Sequence, residues 1–155
     1  MHLKMDVAGI DVYLKINNYR TLTEEDEWDC RWCQCDFSFS SGCWLNYHNN
    51  NDEVLLSSEI EEMADRQTKL LNDEMTEPER IRFVEPDLVF KRHPKRDMRK
   101  DGDHIYIRPG CEIADIYVDW EVYFWHEGLT DNHLTITLGR EEIVQLQEYL
   151  IAIIN

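Results

Sequence analysis

The chain has 155 residues, a length suited to a single domain over residues 1–155 with a real core. Its 32 Asp and Glu against 16 Lys and Arg give a formal charge of −16, a balance that repels nucleic acid and anionic membranes and favours a basic partner. An aromatic content of 11% argues against disorder. No apolar run reaches the ~18 residues of a membrane span.

Met1 to Val7 lacks the apolar region of a secretory signal. The cysteine count is odd, and four of the five crowd into Cys30–Cys43. Reduced thiols in a cytoplasm are therefore expected.

Ile10, Val12, Leu14 and Ile16 alternate with Asp11, Tyr13 and Lys15, which predicts a first strand with one buried face. Asn17, Asn18 and Tyr19 begin a loop carrying Glu24-Glu25-Asp26-Glu27. Trp28 to Ser40 reads as a second strand, with Cys33, Cys35, Phe37 and Phe39 on one face. Ser41-Gly42 signals a turn, Cys43, Leu45 and Tyr47 a third strand, and His48 to Asp52 an Asn-rich loop.

Ser58 with Glu61 fits a capping box. Ile60, Met63, Ala64, Gln67, Leu70 and Leu71 supply the stripe of a helix over Ser58 to Asn72. Ile81 to Phe90 is extended and broken by Pro86, as an edge strand or two short strands. Lys91 to Lys100 holds six of the basic residues and reads as a loop tethered by internal salt bridges. Ile105 and Ile107 suggest a short strand that Pro109-Gly110 ends.

Ile116, Val118, Trp120, Val122 and Phe124 alternate inward. His126 to Asn132 supplies turn chemistry, and Leu134, Ile136 and Leu138 complete a hairpin. After Gly139 the period becomes helical. Ile143, Leu146, Leu150 and Ile154 share one face, widened by Val144, Ile151 and Ile153, with Glu141 and Glu142 in the first turn. The fold class is α+β, a mainly antiparallel sheet with two helices packed on it. The order of elements admits two similar strand-strand-strand-helix halves.

Catalytic machinery is not legible. With 32 carboxylates, pairs arise by chance. No pair is singled out by environments that push two pKa values apart. There is no glycine-rich phosphate loop, G-x-S-x-G or H-E-x-x-H, and the six histidines show no ligand spacing. Cys30-x-x-Cys33-x-Cys35 has the spacing of half a zinc site, but a closed site needs a second pair; Cys43, His48 and Cys111 are scattered. Buried structural thiols are the preferred reading. Trp32, Trp44 and Trp125 fall opposite the inward sets, so one or two are expected to mark a contact surface.

The acidic run Glu24 to Glu27 is a docking candidate for a cationic partner, because acid also accumulates elsewhere. Glu59, Glu61, Glu62 and Asp65 fall on the first helix, and Asp119 and Glu121 on the outer face of a late strand. Two other classes stay open. One is an acidic adaptor module. The other is a small-ligand binder or enzyme with its pocket between sheet and helix.

Four features carry a resemblance. Glu27, Trp28 and Asp29 start a long strand, and Phe37 and Phe39 continue it. Leu55 and Leu56 lead into the helix at Ser58–Leu71. The chain ends strand, strand, helix over Tyr117–Phe124, Leu134–Leu138 and Ile143–Ile151. This order resembles the WapI-type immunity proteins, small bacterial partners of polymorphic toxins. The resemblance implies a non-enzymatic protein that needs no cofactor and neutralises a toxin domain in the producing cell's cytoplasm. A basic toxin would be met by Glu24, Glu25, Asp26 and Glu27, with Glu61, Glu62, Asp119 and Glu121 behind them.

Overall fold

Apolar alternation starts earlier than Ile10, at Leu3, Met5 and Val7. In the computed structural model of the chain, which describes residues 1–24, 31–102 and 106–155, these three are the buried face of a strand, β1 (Leu3–Val7). It pairs antiparallel with β2 (Ile10–Asn17). The turn between them needs two left-handed residues, which Ala8 (φ 52°) and Gly9 (φ 84°) supply. β3 (Trp32–Ser41) and β4 (Leu45–Leu56) complete a sheet of order β1-β2-β3-β4.

The Asn-rich stretch at 48–52, expected as a loop, lies inside β4. Register shifts opposite Cys35 absorb the extra residues as bulges. There Asn51 takes φ 57° and donates its N–H to Asp36 Oδ1 at 2.6 Å. Cys43, expected in the strand, sits exposed in the turn before it. The start of the second predicted strand, Trp28 to Cys30, falls outside the described residues.

Helix α1 (Ser57–Leu71) starts one residue before its expected position, and its cap differs. The Glu59 carboxylate, not Glu61, accepts the Leu56 N–H at 2.8 Å. Ser57 is fully buried, and its hydroxyl donates to Arg31 O at 3.2 Å. Glu59 itself is 9% exposed, so it is not on the outer side of the helix.

Pro86 divides the next extended stretch into β5 (Glu79–Arg82) and β6 (Leu88–His93). The basic stretch is only partly a loop. Lys91, Arg92 and His93 end β6, and β7 (Arg96–Asp97) pairs with β8 (Ile113–Ala114) as a short ribbon. Tethering ion pairs are present: Lys95 to Asp73 at 3.3 Å, Arg96 to Asp101 at 2.8 Å and Arg99 to Asp97 at 2.9 Å. The strand expected at Ile105 and Ile107 is not seen; Ile105 lies outside the described residues, and Tyr106 to Arg108 form no strand.

β9 (Tyr117–Trp125) and β10 (Leu129–Leu138) form the expected hairpin. The turn is shorter than expected, turning on Glu127 (φ 55°) and Gly128 (φ 124°), and a bulge between Leu129 and His133 takes up the difference. In α2 (Arg140–Ile154), Ile143, Leu146 and Leu150 are fully buried as expected. Val144 and Ile151 are 36% and 40% exposed instead of widening the stripe; Gln147 and Tyr149 take the flanks.

The strands divide between two four-stranded antiparallel sheets, the second of order β10-β9-β6-β5. Each half is therefore a four-strand meander followed by a helix. The halves differ mainly at one place, the connection between second and third strands. That connection is residues 18–31 in the first half and 94–116, with the β7–β8 ribbon, in the second.

One apolar core joins the two sheets. Phe39 meets Trp120 edge-on at 5.4 Å, and Phe90 stacks on Trp120 at 5.0 Å. The helices pack antiparallel and exchange glutamine bonds. Gln67 Nε2 donates to Ile143 O at 3.4 Å, and Gln147 Nε2 donates to Ala64 O at 3.0 Å. Cys33 and Cys35 are buried thiols of this core, and burial pushes the Cys35 thiol well above its ordinary range.

Candidate partner-binding surface

The connection carrying the acidic run is pinned at both ends to the start of α1, at Ser57 and Glu61. At its entry the Tyr19 hydroxyl donates to Glu61 Oε1 at 2.8 Å, and the Arg20 N–H donates to Ser57 Oγ at 3.3 Å. At its exit buried Arg31 donates from Nη1 to Glu61 Oε1 at 3.3 Å and to Arg20 O at 3.0 Å. Arg31 O also accepts the Ser57 N–H at 2.9 Å. Burial, reinforced by Glu61, pushes the Tyr19 hydroxyl up to about 12. Between these ends Glu24 is exposed in a turn, while Glu25, Asp26 and Glu27 lie outside the described residues.

The other acidic candidates have partners within the molecule. Glu61 is the strut just described. Glu62 pairs one helical turn on with Arg66 at 3.3 Å, with half of its side chain exposed. Asp119 and Glu121 lie on the outer face of the second sheet, apart from α1. Glu121 accepts both guanidinium nitrogens of Arg80, at 3.0 and 2.9 Å, and the Tyr123 hydroxyl at 3.0 Å. Burial alone would raise its carboxyl, but these bonds outweigh burial and hold it below the usual range. Asp119 meets His93 Nε2 at 3.0 Å and accepts the Thr137 hydroxyl at 2.8 Å. Glu61 and Glu62 thus stand at the foot of the connection, and Asp119 and Glu121 belong to a face that also carries Arg80, Arg82 and Lys91.

Aromatic exposure follows the out-of-phase tryptophans. Trp44 is 69% and Trp125 46% exposed. What the sequence did not show is that Trp125 is anchored. Its indole N–H donates to Asp87 Oδ1 and its backbone N–H to the Tyr47 hydroxyl at 3.3 Å. Only the odd phase of Trp125 in its strand pointed there.

A cleft of about 550 Å³ opens between the α1–β5 loop, the end of β6 and the β7–β8 ribbon, rather than between a sheet and a helix. Its walls include His93, Lys95, Arg96, Asp101 and Tyr117. Among the described residues no group of three or more His, Cys, Asp or Glu side chains is placed to hold a metal ion. Among them, too, no helix is long and apolar enough to cross a membrane.

Residues 4–155 match the model of the immunity protein WapI-like family, and the chain belongs to that family. It is therefore an immunity-type protein, and the family implies a cognate toxin as its partner. Neither a curated protein nor a solved structure matches the chain.

Proposed function

We propose that this protein binds a basic toxin domain through an acidic surface centred on the β2–β3 connection and so blocks the toxin inside the producing cell. The observation that carries this is the connection itself, four consecutive carboxylates in sequence between two described ends that are fixed to α1 through Glu61 and Ser57. Ends fixed in advance lower the conformational entropy lost on binding a partner. The run can then hold its charge toward a cationic groove, and the net charge of −16 raises the encounter rate with a basic domain.

Glu24, Glu25, Asp26 and Glu27 make the direct contacts in this reading. Glu61 and Glu62 hold and extend the acidic foot, and Asp119 and Glu121 contribute to the field. No cofactor and no chemical step are required. A buried thiol such as Cys35 suits a reducing cytoplasm.

The test is growth rescue followed by affinity measurement. The toxic domain encoded beside this chain is expressed with and without it; rescue supports the role. Converting Glu24, Glu25 and Glu27 to Gln and Asp26 to Asn should then weaken binding and flatten its salt dependence. Death in both cultures would defeat the immunity role, and unchanged affinity would remove the connection from the interface.

A further inference from the structure

The turns of the second sheet lie against β4, and this seam carries an apolar patch that the acidic connection does not include. Tyr47, on β4, places its ring 4.8 Å from Phe124 and accepts the Trp125 N–H. Trp125 is paired across the turn with Leu129, which is 38% exposed. Val84, three residues before Asp87, is 64% exposed, while its N–H is tied to Glu59 Oε1. An exposed indole ordinarily samples several rotamers. Here two hydrogen bonds fix both ends of Trp125, so its ordering is complete before any partner arrives.

Asp87 supplies a second, independent observation. The residue is 1% exposed, and among the described residues its Oδ2 has no hydrogen-bond partner. Its Oδ1 accepts the indole N–H of Trp125. A carboxylate accepting that proton adds negative potential to the outer face of the ring, the face a cation prefers. Glu85, Glu127, Asp131 and Asp52 stand around the patch, and Arg80 is neutralised by Glu121, leaving Arg82 at one side. The rim is therefore acidic while its centre is aromatic, the composition of a hot spot for a cationic protein.

We infer that this seam, Trp125 backed by Asp87 and flanked by Val84 and Leu129, docks a basic protein that lays a lysine or arginine side chain across the Trp125 ring. The inference rests on the proposed role only in taking that protein to be the toxin domain.

The experiment measures affinity of the full chain for the toxin domain that it rescues, with three seam variants and the neutralised connection in parallel. Trp125→Ala should weaken binding by about thirty-fold, the range of a central aromatic anchor. Asp87→Asn keeps the shape and the indole bond; it should weaken binding by about three-fold or more without lowering the melting temperature, since it removes a buried charge. Val84→Lys, at an exposed position that folding tolerates, should weaken binding by placing a cation on the seam.

Full affinity in all three, with loss in the connection variant, would overturn the seam and leave the immunity role standing. Rescue or binding absent in the unaltered protein would overturn both. A concentration-dependent dimer abolished by Trp125→Ala would show a second copy on the seam and overturn the basic partner.

Discussion

Arg92 is the residue whose replacement should raise stability most. It ends the inner face of β6, opposite Val118 in the register and beneath α1, and is fully buried. Its Nη2 donates to Met63 O at 3.2 Å; among the described residues Nε and Nη1 have no partner. Glu79, which faces Arg92 across the β5–β6 register, is engaged by Arg66 instead. Burial pulls the guanidinium down from its ordinary value to about 10. That depression corresponds to roughly 3 kcal/mol of penalty on the charged form, in line with the ~1–4 kcal/mol gained when buried ions give way to apolar groups of similar volume.

Arg92→Met should therefore stabilise the protein by about 2 kcal/mol, or roughly 4–8 °C in melting temperature for a chain of this size. Urea unfolding should show a higher midpoint at unchanged slope. The pH dependence gives a second check. A base whose folded pKa is depressed carries its penalty wherever it is charged, so the penalty is complete below about pH 10 and fades as pH rises toward the ordinary guanidinium range. The gap between variant and parent should narrow above pH 10. A variant less stable than the parent by more than ~1 kcal/mol would refute the argument, because it would show that the guanidinium is compensated.

Three further outcomes are expected. Glu59→Ala removes acceptors for the N–H groups of Leu56 and Val84, separating the start of α1 from the β5–β6 turn, and should lose roughly 2–3 kcal/mol in urea melts. Asp115 is held down to about 2 by the Arg140 guanidinium, so any stability it adds is present above about pH 4 and fades as pH falls toward 2. Being half exposed, the pair contributes well under ~1 kcal/mol, and carboxyl NMR titration should show Asp115 rising to the ordinary range in Arg140→Gln. Glu61→Gln should lower the Tyr19 hydroxyl from about 12 toward 10, read by ultraviolet titration, since the second contributor to its elevation loses its charge.

Strands with one buried face were legible wherever the period of two ran clean, as at Ile10–Ile16 and Ile116–Phe124. β1 escaped because Leu3, Met5 and Val7 are separated by Lys4 and Asp6 within a short terminal stretch that also fits an unstructured lead-in. The Asn-rich part of β4 escaped for a different reason. Asn and Asp favour turns, yet a bulge opposite Cys35 lets Asn51 take a left-handed conformation without leaving the ladder.

The division into two sheets could not be read locally, because the packing of one sheet on the other is set by contacts such as Phe39 with Trp120 that span 81 residues of chain. Among site residues, charge was legible but engagement was not. Sequence shows that Glu121 is acidic; only the fold shows that Arg80 and Tyr123 occupy it.

The two halves share a meander and a helix, so what distinguishes them chemically lies in the insertions between second and third strands. The first insertion carries Glu24, Glu25, Asp26, Glu27 and Asp29 against Arg20 and Arg31. The second balances Lys95, Arg96, Arg99, Lys100 and Arg108 with Asp97, Asp101, Asp103, Glu112 and Asp115. Several of these charges close on one another or on Asp73 and Arg140. Under the proposed function, a basic partner would be drawn to the first insertion rather than the second. Glu59 and Glu61 bind the two proposed contact regions to one helical turn. Glu59 holds Val84 of the seam, and Glu61 holds the foot of the connection. Tyr19 and Val84 are thus held by residues two apart on α1, and an ordinary interface covers ~800 Å² on each partner. The two proposals together therefore predict that one toxin domain engages the foot of the connection and the Trp125 seam, both being held from the start of α1.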